Sequence, residues 1–220
     1  SSVTGYQRVG PSAVGRKFYN YRTGFSCFWM RGPPSIESGN RYYRWLSNLN
    51  LNTGRGFDIR TVYGDSQVSD GTTRFTVGNT SFYAKPGLEA GLHEYRHVCM
   101  GWDRDVATRL YQITATINGV DACPVSGCPN VSDNPRSNYS LTVGVPSGIP
   151  DPRAATSGAN TLMHELIFIA NRTLTPDKAR WITACGAEDD ASASYRKNFY
   201  LDGNVGAIEG PNGETSCSTP

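Results

Sequence analysis

The strongest constraint on how this chain folds is a series of short segments rich in β-branched and aromatic residues, at 25–30, 57–62, 74–77, 97–102, 110–117, 140–143 and 162–170. Each is closed off by Gly, Pro, Asn or Asp, so each reads as a strand, and together they predict an all-β chain. One helix is expected over 175–184: Thr175 can cap it, Pro176 suits its first turn, Asp177 complements the positive end of the helix dipole and Gly186 closes it. Two stretches lack a strand pattern, 32–52 and 122–138, and are read as loops. Neither is flanked by a second core, so residues 1–220 are expected to form a single domain.

Composition narrows the function classes. With 38% hydrophobic and 18% charged residues, 24 Gly and 13 Pro, the chain is neither disordered, collagenous nor coiled coil. No apolar run approaches the roughly 20 residues of a membrane span, and no basic segment with an apolar core opens the chain, so a mature, soluble protein is expected. The 21 basic and 19 acidic residues leave a charge of +2, too slight and scattered for a nucleic-acid partner. The basic residues are 17 Arg and only 4 Lys. Arginine is the planar fork that grips carboxylates and sulfates with two hydrogen bonds.

Cys27, Cys99, Cys123, Cys128, Cys185 and Cys217 form an even set whose spacing, beside three histidines, fits no zinc pattern. They are read as disulfides. Asn79, Asn130, Asn138 and Asn171 each open an Asn-x-Ser/Thr glycan acceptor sequence. Together these features predict a secreted, extracellular glycoprotein. Cys123 and Cys128 enclose only Pro-Val-Ser-Gly, which suits a local loop; the pairing of the other four is open at this level.

The order of segments resembles that of pentraxins and laminin-G-like domains. Phe25-Ser-Cys-Phe-Trp-Met-Arg31 is similar to their early aromatic core strand carrying the first cysteine, and Gly56-Phe-Asp-Ile-Arg60 and Arg74-Phe-Thr-Val-Gly78 follow in the family's order. His97-Val-Cys-Met-Gly-Trp102, ahead of Thr116-Ile-Asn-Gly119, resembles the pentraxin His-x-Cys-x-x-Trp strand and its hairpin. Leu141-Thr-Val-Gly144 and the run from His164 to Lys178 resemble the closing strands and short helix. The likeness covers about residues 24–182. It implies a concanavalin-type jelly-roll β-sandwich of two antiparallel sheets, a Cys27–Cys99 disulfide between two of its strands, and Cys217 as the partner left for Cys185. It also implies that Trp29, Trp102 and Trp181 are structural.

Function must then be read from sites. Asp65 and Asp70 can supply hard oxygen ligands where pentraxins place half of a calcium site, although each lies near a glycine and suits a tight turn. The other half of that site is missing: Val-Pro-Ser-Gly-Ile-Pro follows Gly144. No cofactor is expected beyond this calcium option. The paired-carboxylate strand of a retaining glucanase is absent too. A polysaccharide lyase is the enzymatic alternative, drawing on His93, Tyr95, Arg96 and His97; alternation sends His93, Tyr95 and His97 to one face, and His97 shares its face with Cys99. The densest cluster is Arg41-Tyr-Tyr-Arg-Trp45, in the first long loop. Arg41, Tyr43, Arg44 and Trp45 are the expected ligand contacts, rings stacking on sugars and arginines gripping acidic substituents. The competing reading makes the same run a strand with Arg41 and Arg44 outside. The expected function is a non-catalytic, lectin-like protein whose partner is carbohydrate or glycoconjugate. A structural or small-ligand carrier subunit, in a homo-oligomer or other extracellular assembly, is the third alternative.

Overall fold

In the computed structural model, the protein is described over residues 7–9, 22–33, 35–36, 41–50, 52–136, 141–143 and 162–185. The strands are β1 (Gln7–Val9), β2 (Gly24–Arg31), β3 (Arg41–Ser47), β4 (Phe57–Tyr63), β5 (Thr72–Val77), β6 (Thr80–Tyr83), β7 (Tyr95–Arg104), β8 (Tyr111–Ile117), β9 (Val120–Asp121), β10 (Asn130–Val131), β11 (Leu141–Val143) and β12 (Leu162–Ala170). One helix, α1 (Pro176–Cys185), follows. The first sheet runs β1-β11-β3-β4-β5-β6 and the second β10-β8-β7-β2-β12, with β9 paired to β8. Every pairing is antiparallel, and the whole is a jelly-roll sandwich.

Period-2 alternation builds the core. Phe57, Ile59 and Tyr63 of β4 and Phe75 and Val77 of β5 point inward from the first sheet, meeting Phe28, Met30, Val98, Met100, Trp102, Ala115 and Ile117 of the second. The Phe57 and Trp102 rings stack across the gap at 5.4 Å. Asn118 and Gly119, with φ of 51° and 72°, make the tight β8–β9 turn that their Asn-Gly sequence favours.

A second apolar cluster lies on the outer face of the second sheet. Phe25, Cys27, Cys99, Ile167 and Ile169 there meet Leu174, just ahead of α1, and Ala179 and Ile182 within it. Gly101 makes this approach possible, since a Cβ there would stand 2.7 Å from the Leu174 Cβ. The Lys178 amide donates to Thr175 Oγ1 at 3.3 Å, so Thr175 caps α1 as expected. Beneath the helix, Cys27 and Cys99 sit directly opposite each other and form a disulfide, and Cys123–Cys128 closes the local loop. Cys217, and with it any pairing to Cys185, lies outside the described residues, as do Gly186 and Asn138.

Two expectations are corrected. The stretch 32–52 is not simply a loop: it contains β3, whose aromatic residues satisfy strand preference although the arginines between them dilute the hydrophobic pattern. The stretch 122–138 contains the short β10. The sequence reading also overlooked β1, β6 and β9, all of four residues or fewer.

Candidate functional site

The Arg41–Trp45 cluster is divided by its own strand. Tyr43 and Trp45 face the core, where Trp45 is 2% exposed and its indole Nε1–H donates to Thr61 Oγ1 at 2.7 Å. The register shifts between Arg44 and Leu46, a bulge that lets both Trp45 and Leu46 point inward. Tyr43 packs edge-on against Tyr63. Neither ring is available for stacking on a sugar, which corrects the expected roles of Tyr43 and Trp45. Arg41 opens β3 opposite Tyr63. Arg44 and Tyr42 take the other side of the strand, the outer face of the first sheet.

On that face the sheet assembles what the sequence holds apart. Arg44 lies opposite Arg60 of β4, Arg60 opposite Arg74 of β5, and Arg74 opposite Tyr83 of β6. Directly opposed residues of adjacent strands share a face, so three arginines form one row across the sheet. Asp58 is the carboxylate beneath them: its Oδ1 accepts from Arg44 Nε at 3.0 Å, and its Oδ2 stands 3.6 Å from Arg60 Nε. The Arg60 guanidinium lies over the Tyr42 ring at 4.7 Å and that of Arg74 over the Tyr83 ring at 5.6 Å. Asp58 and Arg44 are buried, and Arg60, Arg74, Tyr42 and Tyr83 are half-buried. Burial pulls Arg60 below the usual guanidinium range; Asp58 opposes this, while Arg74 and Arg44 add to it. The Nε atoms of Arg60 and Arg74 are buried without a hydrogen-bond partner. The arrangement is a positively charged row with two buried, unpaired Nε–H groups and a tyrosine ring against each of Arg60 and Arg74.

The segment considered for lyase chemistry does not form one site. His93 stands before β7 in a turn, at φ 59°, so strand alternation does not reach it. Its Nδ1 lies 3.1 Å from Arg31 Nη2, and Arg31 also lies over the exposed Tyr95 ring at 5.7 Å. Arg96 donates to the Glu89 carbonyl and to Glu94. His97 does share a face with Cys99, but both lie under α1: its Nδ1 is 2.7 Å from Thr183 Oγ1, and burial pulls its pKa down to about 4. Cys27, His97 and Cys99 come close enough to suggest a metal site, yet both sulfurs are committed to the disulfide. Asp65 and Asp70 are turn residues: Asp65 accepts from the Gln67 amide at 2.9 Å and Asp70 from that of Gly64. Asn79, Asn130 and Asn171 are exposed.

Of the ligand residues expected from sequence, only Arg44 demonstrably reaches the arginine row. Asp58, Arg60, Arg74, Tyr42 and Tyr83 were missed as a group, although a signal existed. In Phe57-Asp-Ile-Arg60 and Thr73-Arg-Phe75 the charged positions alternate with core positions, and pairing the two runs as a hairpin aligns Arg60 with Arg74.

Among solved structures, the chain is similar to a native heptameric SAP-like pentraxin from Limulus polyphemus, with TM-score 0.50, 15% identity, and coverage of 76% of this chain and 71% of that one. The fold is a pentraxin-like jelly roll. The pentraxin-like sandwich is also similar to the CBM40 of the Ruminococcus gnavus IT-sialidase, solved bound to α2,3-sialyllactose, with TM-score 0.52, 13% identity, and coverage of 81% and 91%. No protein-family model matches the chain, and no curated protein matches it.

Proposed function

We propose that this protein is a secreted, lectin-like, non-catalytic domain that binds carbohydrate or glycoconjugate on the outer face of its first sheet. The observation that carries this reading is the Arg44–Arg60–Arg74 row, with Arg60 over Tyr42 and Arg74 over Tyr83, which places guanidinium groups and partly exposed rings side by side. Two disulfides and three exposed glycan-acceptor asparagines support an extracellular setting. The CBM40 structure carries a bound sialoside, so a sandwich of this shape is compatible with glycan binding; the reading for this chain rests on its own side chains. We expect binding to be independent of calcium, since the second acidic cluster of the pentraxin site is missing after Gly144 and Asp65 and Asp70 each serve a backbone amide of their own turn.

A glycan array probed with the wild-type protein, in calcium and in EDTA, tests the proposal. We expect a discrete set of glycans to be retained equally in both buffers and lost from an Arg60→Gln/Arg74→Gln variant that stays folded. Retention by the variant at wild-type level would move the site elsewhere, and a blank array would remove the lectin reading.

A further inference from the structure

We propose that Arg60 and Arg74 form an oxyanion site, so that the ligand is an acidic glycan with one sulfate or carboxylate group seated against both guanidinium groups. This inference rests on the reading of that face as a glycan-binding surface and names the chemistry of its ligand.

The charge balance of the row points to it. Asp58 is taken up by Arg44 through Oδ1 at 3.0 Å, and its second oxygen reaches Arg60 only at 3.6 Å. Among the described residues no carboxylate pairs with Arg74. Like charges placed directly opposite on neighbouring strands repel, and this row contains two such contacts in succession. A neutral sugar hydroxyl can accept from a guanidinium N–H, but it leaves that repulsion in place. An oxyanion answers both, because charge-assisted hydrogen bonds to guanidinium are stronger than neutral ones and gain further where water is partly excluded.

Each of the two guanidinium groups also has a ring beside it. A guanidinium held against a tyrosine ring by cation–π attraction keeps its N–H donors available to an acceptor. Tyr42 holds Arg60 in this way and Tyr83 holds Arg74, so the pair is set in place before binding and loses little side-chain freedom on contact. Elsewhere, the Arg31–Tyr95 and Arg104–Tyr111 pairs repeat the stacking without a second arginine opposite, and they lack this doubled charge. Sulfate esters and uronate or sialate carboxylates share the required chemistry.

Titration calorimetry with three probes separates the outcomes: a heparin dodecasaccharide, its fully desulfated and N-acetylated counterpart, and neutral maltohexaose. We expect a charged probe to bind about tenfold or more tightly than the neutral one, to weaken with added salt, and to lose about tenfold in affinity on Arg74→Gln. Arg74→Lys, which keeps the charge but not the fork, falls between. Binding to both charged probes assigns a carboxylate as sufficient; binding to heparin alone assigns sulfate. Equal affinity for maltohexaose would overturn the oxyanion site while leaving the lectin reading intact, and no heat with any probe, together with a blank array, would overturn both. Should Arg74→Gln fail to fold, the wild-type protein decides: inorganic sulfate must displace heparin better than chloride does at equal ionic strength, and equal displacement overturns the site.

Discussion

The two outer faces of the sandwich carry opposite kinds of residue. On the second sheet, Phe25, Ile167 and Ile169 are covered by α1 and its lead-in and stapled from below by Cys27–Cys99. On the first sheet, the corresponding positions include Tyr42, Arg60, Arg74 and Tyr83, charged or amphipathic and half-buried, beside the buried ion pair of Arg44 and Asp58. Both faces arise from the same period-2 strands, so the difference lies wholly in which residues occupy the outward positions. An apolar outward face needs a helix to cover it and contributes stability. A charged outward face contributes less to stability and, on the proposed reading, keeps donors for a ligand.

The sharpest test of this division runs through β3, whose two sides serve different ends. Trp45→Ala removes a ring that is 2% exposed and the hydrogen bond that its indole donates to the Thr61 hydroxyl, and we expect it to cost about 3–5 kcal/mol in urea unfolding. Arg74→Gln, on the outer side of the same sheet, should change unfolding free energy by no more than about 0.5 kcal/mol while removing ligand. A stable Trp45→Ala variant that loses ligand would break the comparison, because it would return the indole to the binding surface.

A second test removes the staple from the helix-covered face. The Cys27–Cys99 bond spans 72 residues, and replacing both cysteines with Ala should lower stability by about 2–5 kcal/mol, since the unfolded chain regains the freedom the cross-link withheld. Affinity at the arginine row should be unchanged once the variant is folded. Loss of affinity in the folded double variant would show that the two faces are coupled through the core.

The legible and illegible parts of this molecule follow the same physical line. Strands such as β2, β4, β7 and β8 announce themselves because they bury several large apolar residues each, and α1 because Thr175, Pro176 and Asp177 stand in order at its start. The Cys27–Cys99 pair followed from the family resemblance, since it depends on two strands lying side by side rather than on spacing. The candidate site was harder to see because a sheet face gathers residues from separate strands: Arg44, Arg60 and Arg74 become neighbours only once the registers of β3, β4 and β5 are known. The run Arg41–Trp45 drew attention by its density along the chain, yet adjacency in a strand sends neighbours to opposite faces. Its bulge then turned Trp45 and Leu46 inward together, which no alternation rule anticipates.

His97 provides the smallest and most specific test, because it is a titratable group enclosed on the helix-covered face. Its ring packs against Trp29 at 5.0 Å and its Nδ1 meets Thr183 of α1. Burial lowers its pKa from 6.5 to about 4, so the folded protein holds it neutral while the unfolded chain protonates it more readily. Stability from this group is therefore complete above pH 6.5 and is lost as pH falls toward 4, by on the order of 3 kcal/mol across the whole interval, with no further loss below it. Denaturant unfolding at pH 7 and at pH 4.5 measures the difference. The wild-type protein should lose more stability over this interval than His97→Gln, which has no imidazole to protonate, and α1 should be the element that loosens first in hydrogen exchange. If both proteins follow the same pH curve, the charge on His97 is being accommodated without releasing the helix, and the cover over the second sheet is looser than its packing implies.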